Sequence, residues 1–154
     1  MADEFVEIES LELTPRRENR AAAMQYVYMC EVSGGKTSDE LVSEFFAGKA
    51  RDRKFYAFAE DLIAGVYSNL EKIDERIAQA AENWSFHRIA KVDLALLRVA
   101  VFEMFYRDDV PSIVAINEAI DLSKLFSGPD SKRFINGVLD MLKASAPKKS
   151  SEKK

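Results

Sequence analysis

Val92-Asp93-Leu94-Ala95-Leu96-Leu97-Arg98-Val99-Ala100-Val101-Phe102-Glu103-Met104-Phe105-Tyr106 is the most apolar run in the chain. Asp93, Arg98 and Glu103 interrupt it, so it falls short of the ~18 uninterrupted apolar residues that mark a membrane span. Leu94, Leu97, Val101 and Phe105 recur at three- and four-residue steps, the helical period, and the stretch reads as the central helix of the fold, ending near Arg107.

The flanking sequence keeps the same period. On the N-terminal side, Thr14-Pro15 opens a first helix with threonine as N-cap, Ala23, Met24, Val27 and Tyr28 as its apolar stripe, and Ser33-Gly34-Gly35 as its stop. Thr37 and Glu40 have capping-box spacing and start a short helix carrying Leu41, Val42, Phe45 and Phe46. A third helix runs from about Arg53 through Phe55, Phe58, Leu62, Ile63, Val66 and Leu70; residues 71–81 make a shorter one, the joint between two subdomains. Ser85 is the expected N-cap before the central helix. On its C-terminal side, residues 108–112 are a loop, 113–126 a helix, and 127–130 a turn with Asp130 as N-cap of the last helix, 131–143. Gly137 inside it is expected to be a close helix-packing position. The fold class is therefore all-α: about seven helices in one domain over 14–143, with subdomains of about 14–70 and 71–143. An acidic extension precedes it (1–13), and a Lys-rich tail (144–154) is expected to be disordered.

Composition excludes several functions. The chain has 154 residues, 47% apolar and 31% charged, enough to bury a single core. One cysteine and one histidine rule out a disulfide scaffold and a structural zinc site, and fit a reducing, cytoplasmic compartment. The acidic first 13 residues are unlike a signal peptide. Neither GxxxxGK[ST] nor GxGxxG occurs, His87 and Cys30 stand in no nucleophile motif, and the carboxylates form no pair; no enzyme and no cofactor are expected. The net charge of −4 argues against a general nucleic-acid binder.

The basic residues are local. Arg16, Arg17 and Arg20 share an arc of about 100° at the start of the first helix and form one basic face. Cations there oppose the helix dipole, and a phosphate would reverse that sign. The alternative is a solvated turn in which Arg16 and Arg17 pair with Glu12 or Glu18. A second basic patch, Lys132-Arg133, follows Asp130-Ser131 at the start of the last helix and, as a lone feature, reads as an ordinary solvated first turn. Tyr26, Tyr28, Phe86, Tyr106 and Phe134 are candidates for stacking on bases, against the commoner role of aromatics in a core. Lys148, Lys149, Lys153 and Lys154 add charge to the tail.

Residues 93–104, then Val110-Pro111 with Ala115-Ile116-Asn117-Glu118-Ala119-Ile120, then Asp130-Ser131-Lys132-Arg133-Phe134-Ile135-Asn136-Gly137-Val138-Leu139-Asp140 resemble the NusB family of transcription antitermination factors. The resemblance implies a non-catalytic adaptor of two helical subdomains that binds boxA RNA of ribosomal RNA transcripts together with the ribosomal protein NusE, within the transcription elongation complex. By matching position it implies RNA contacts for Arg16, Arg17, Arg20, Gln25 and Tyr28, and places Asp93, Asp130 and Phe134 at or near RNA and partner surfaces, Asp93 as a partner contact. Lys132 and Arg133 join the RNA residues. Glu18 inside the basic cluster and Ala21 in place of a common acid depart from the family pattern. The alternative reading is a homodimer or protein-interaction module in ribosome assembly whose RNA face is occluded.

Overall fold

Asp93 to Met104 are all buried, charged residues included, so the helix they form has no solvent face and must be surrounded. A computed structural model describes residues 7–150. Among them seven α-helices occur and no strand: α1 (Pro15–Val32), α2 (Asp39–Ala47), α3 (Ala57–Ser68), α4 (Leu70–Ala80), α5 (Lys91–Tyr106), α6 (Ser112–Phe126) and α7 (Pro129–Lys143). The central helix is α5, which packs on α1, α3, α4, α6 and α7. The buried side chains form one continuous cluster through both expected halves of the domain.

Arg98, inside this core, is tolerated because it is neutralised on both sides. Its guanidinium donates to Asp74 at 2.9 and 2.8 Å and to Glu31 at 2.9 Å, tying α5 to α4 and α1. Close approach of α3 to α5 depends on Gly65, where a Cβ would lie 2.0 Å from the Phe102 ring. Gly137, expected in that role, has nothing within 4 Å of the point where a Cβ would stand and lies on the exposed side of α7. A glycine in an apolar surround looks alike in sequence whether or not a neighbouring helix crosses above it.

Several boundaries move by a residue or two. Thr14 caps α1 as expected, its hydroxyl accepting the Arg17 N–H, and Gly35 at φ 83° returns its N–H to the Cys30 carbonyl at 2.7 Å. The cap of α2 is Ser38, which accepts from Leu41 N–H; Thr37 instead bonds the Tyr26 hydroxyl at 2.5 Å. The helix expected from Arg53 begins as a 3₁₀ turn, Arg53–Tyr56, and ends at Ser68, where Asn69 folds its amide back onto the Gly65 carbonyl. Ser85 precedes a 3₁₀ turn (Phe86–Arg88) rather than a helix and makes no capping bond. Gly128 occupies the cap position of α7, with Pro129 first in the helix, so Asp130 lies in the first turn and does not cap.

The termini differ from expectation as well. Ile8 is buried in a 3₁₀ turn (Ile8–Leu11) against α1, so part of the acidic extension belongs to the core. The tail does not lie free as far as Ser150. Lys149 is buried, its Nζ donating to the carbonyls of Glu103 and Arg107, and Ser150 bonds Asp108. A cation on the last carbonyls of α5 complements the helix dipole, which is what anchors an otherwise polar segment. Residues 1–6 and 151–154, with Asp3, Glu4, Lys153 and Lys154, lie outside the described residues.

Candidate nucleic-acid interface

The arginine arc of α1 does not form an open basic face. It turns toward four acids of α5, α6 and the loop between them, and the three side chains meet three different environments. Arg20 is 5% exposed and donates to both oxygens of Glu103 at 2.8 to 3.1 Å; Glu103 is 1% exposed. That guanidinium is buried because it is paired, and no phosphate can reach it without breaking the pair. Arg17 forks onto Glu118 at 2.9 and 2.8 Å and reaches Asp121 at 2.9 Å. The Glu118 hydrogen bond raises the Arg17 pKa, and in return Arg17 holds the Glu118 carboxyl below its ordinary range. Arg16 alone stays open: its side chain is 52% exposed, lies over the Phe58 ring at 3.7 Å, and meets Asp109 at 3.6 Å in a surface pair. Such a pair contributes little and can exchange its carboxylate for a phosphate.

Neither Glu12 nor Glu18 is the partner of Arg16 or Arg17 in these ion pairs. Glu18 faces the other way, buried under Arg51 at 2.8 Å and the Tyr56 hydroxyl at 3.4 Å, so the acid inside the cluster is neutralised by its own partners. Gln25 accepts from Lys49 Nζ at 2.5 Å, and Tyr28 is half-buried against the core.

The second basic patch is differently built. Asp93, at the start of α5, is 6% exposed and accepts from Ser127 at 2.8 Å and Ser131 at 3.0 Å, and the two serines bond each other at 2.7 Å. Its carboxylate is used to hold the start of α7 on α5, a positioning task, rather than offered at the surface to a partner. What this latch presents is the exposed first turn of α7: Asp130, Lys132 and Arg133, with half-buried Phe134 beside them. None of these three charged side chains enters an ion pair among the described residues.

The two patches therefore sit at opposite ends of α5. The α1 end lies beside Arg107 and Asp109, past the C-terminus of α5, and the α7 end beside Asp93, one helix length or about 20 Å away. Trp84 and Arg88, which the sequence did not single out as site residues, flank the α7 end and are exposed. The signal was present: Asn83-Trp84-Ser85 breaks the helical period, and a tryptophan off the apolar stripe has no reason to be core.

The remaining stacking candidates divide by burial. Tyr26 is buried among Phe45 and Tyr67, Phe86 is half-buried, and Tyr106 is exposed but stacked on Phe102. Among the described residues no group of His, Cys, Asp and Glu could hold a metal ion, and no helix is long and apolar enough to cross a membrane.

Comparison with known proteins fits this architecture. The model of the NusB family matches residues 17–144. The transcription antitermination protein NusB of Geotalea daltonii is 42% identical over 144 residues, covering 89% of this chain and 99% of the relative. That of Acetivibrio thermocellus is 40% identical over 126 residues, covering 80% and 85%. Among solved structures, T. maritima NusB superposes with a TM-score of 0.78 at 32% identity, covering 87% of this chain and 94% of that one. A chain from a complex of the antitermination factors NusB and NusE with double-stranded RNA superposes at 0.75 and 23% identity, which speaks to the fold. With this extent of similarity in sequence and in fold, the chain belongs to the NusB family.

Proposed function

We propose that the chain is a non-catalytic, cytoplasmic transcription antitermination factor that binds single-stranded boxA RNA of ribosomal RNA transcripts together with NusE, in the elongation complex. The observation that carries the RNA contact is the first turn of α7, where Lys132 and Arg133 are exposed and unpaired beside the Phe134 ring. Cations without protein partners are available to phosphates, and an adjacent aromatic edge suits an unstacked base. Arg16 supplies a third open cation about one helix length away, a distance that an extended strand covers in a few nucleotides. Asp130 stands at the same turn and limits the local positive charge. Arg17 and Arg20 act on RNA through the fold, by fixing the start of α1. The acidic remainder of the chain complements a strongly basic ribosomal protein.

The test is fluorescence anisotropy of labelled boxA RNA at several salt concentrations, with and without NusE. Three open cations predict a log–log salt slope of about −2 from roughly −0.7 per contact. Lys132→Ala/Arg133→Ala should bring it to about −0.7 and weaken binding with or without NusE. An unchanged slope and affinity in that variant would overturn the assignment of the α7 turn. Light scattering separates the homodimer alternative, which requires a dimer that RNA does not dissociate.

A further inference from the structure

Trp84 stands between α4 and α5 with 56% of its surface exposed, although an indole gains more from burial than most side chains. It meets Phe134 edge to face, centroids 5.5 Å apart and planes at 63°, an arrangement that uses one face of one ring only. Two hollows open against this pair. One, of about 520 Å³, is lined by Asn83, Arg133 and Met141 besides the two rings; the other, of about 190 Å³, by Arg88, Ile89 and Ser131. The larger has room for a nucleotide. Arg133 stands on the first rim and Arg88 on the second, both exposed and in no ion pair among the described residues, while Asp130 lines both hollows and Glu82 the larger.

An indole more than half exposed, a concave wall and an unpaired guanidinium on each side form the elements of a single-strand binding site: stacking for one base and charge for the phosphates that flank it. We infer that Trp84 is a stacking platform for one unpaired base of single-stranded RNA, with Arg133 and Arg88 on the flanking phosphates. This rests on the RNA-binding reading above, extends the α7 turn by residues from outside that helix, and adds Arg88 as a fourth phosphate contact, which steepens the salt slopes given there by about 0.7 in wild type and in Lys132→Ala/Arg133→Ala alike. A peptide side chain could also fill the larger hollow, but a free guanidinium on each of the two hollows that flank the ring pair favours a polyanion.

Trp84 is the single tryptophan of the chain, so its emission reports the site directly. Wild-type protein is titrated at low salt with a fluorescein-labelled boxA oligonucleotide, following RNA anisotropy and, with unlabelled RNA, tryptophan emission. A stacked base quenches the indole, and both signals should saturate at the same concentration. Trp84→Ala should weaken binding about tenfold or more, with Trp84→Phe recovering much of the loss, while circular dichroism shows unchanged helicity in both. RNA binding with unchanged emission and wild-type affinity in Trp84→Ala overturns the stacking role and leaves the RNA reading standing. No RNA binding by anisotropy at low salt, with or without NusE, overturns both. An emission that shifts with protein concentration and not with RNA overturns it in favour of a second copy of the chain in the hollow.

Discussion

Arg20→Ala separates a phosphate ligand from a structural cation more sharply than any other substitution. The Arg20 guanidinium makes three contacts of 2.8 to 3.1 Å with Glu103, whose carboxylate is 1% exposed on the central helix. The second carboxylate contact of Arg20, to Glu118 at 3.8 Å, vanishes with the same substitution. Removing one partner of a buried pair leaves the other charged and desolvated, at a cost of about 3–5 kcal/mol. For a domain of this size about 2–4 °C of Tm follows each kcal/mol, so thermal unfolding should move down by roughly 6–20 °C. Replacing both partners together, Arg20→Met with Glu103→Leu, should recover most of that loss, because the desolvated charge is gone. The assay is a denaturation series followed by circular dichroism, paired with RNA titration well below the melting point. The folded Arg20→Ala protein should keep the wild-type salt slope for RNA. A variant that melts within about two degrees of wild type and loses about 0.7 of that slope would refute the structural role and restore Arg20 to the RNA face.

Two glycines give opposite expectations for the same change. Gly65→Ala places a methyl carbon into the Phe102 ring and should destabilise by about 1–3 kcal/mol, whereas Gly137→Ala has open space and should stabilise by roughly 0.5–1 kcal/mol through helix propensity; urea midpoints check both. Acid should loosen the α1–α6 junction. Arg17 holds the Glu118 carboxyl below its ordinary 4.5, so the unfolded state binds that proton more tightly. The pair's contribution is then complete above about pH 5 and is lost as pH falls through the folded value. Melting temperatures between pH 7 and pH 3 should fall less steeply in Glu118→Gln; an identical profile would show that this pair does not set the acid limb.

The helices were legible because their signals are local. Thr14-Pro15, Gly34-Gly35 and the three- and four-residue steps around Leu94 and Val101 act within one or two turns, and the structure puts α1 and α5 where those signals predict. Boundaries were missed where two polar residues compete, as with Thr37 and Ser38, since only the tertiary partner of Thr37, Tyr26, decides which hydroxyl is free to cap. Gly65 and Gly137 differ only in whether another helix crosses over them.

Of the candidate site, the residue types were legible and their availability was not. The sequence by itself determined an all-helical chain, a central helix at residues 92–106, two short basic segments and the family resemblance, because periodicity and capping are properties of neighbouring residues. Tertiary structure decided which cations are free. Arg20 and Glu103 are 83 positions apart, and Arg17 and Glu118 are 101 apart, so no helical wheel can show that the arc of α1 faces carboxylates instead of water. Packing α1 against α5 and α6 consumes two of its three arginines, while the Asp93 latch, using two serines and no cation, leaves Lys132 and Arg133 open beside Phe134 and Trp84. A charge is available to a ligand only where the fold has not already neutralised it, and that is settled by long-range pairing rather than by sequence spacing.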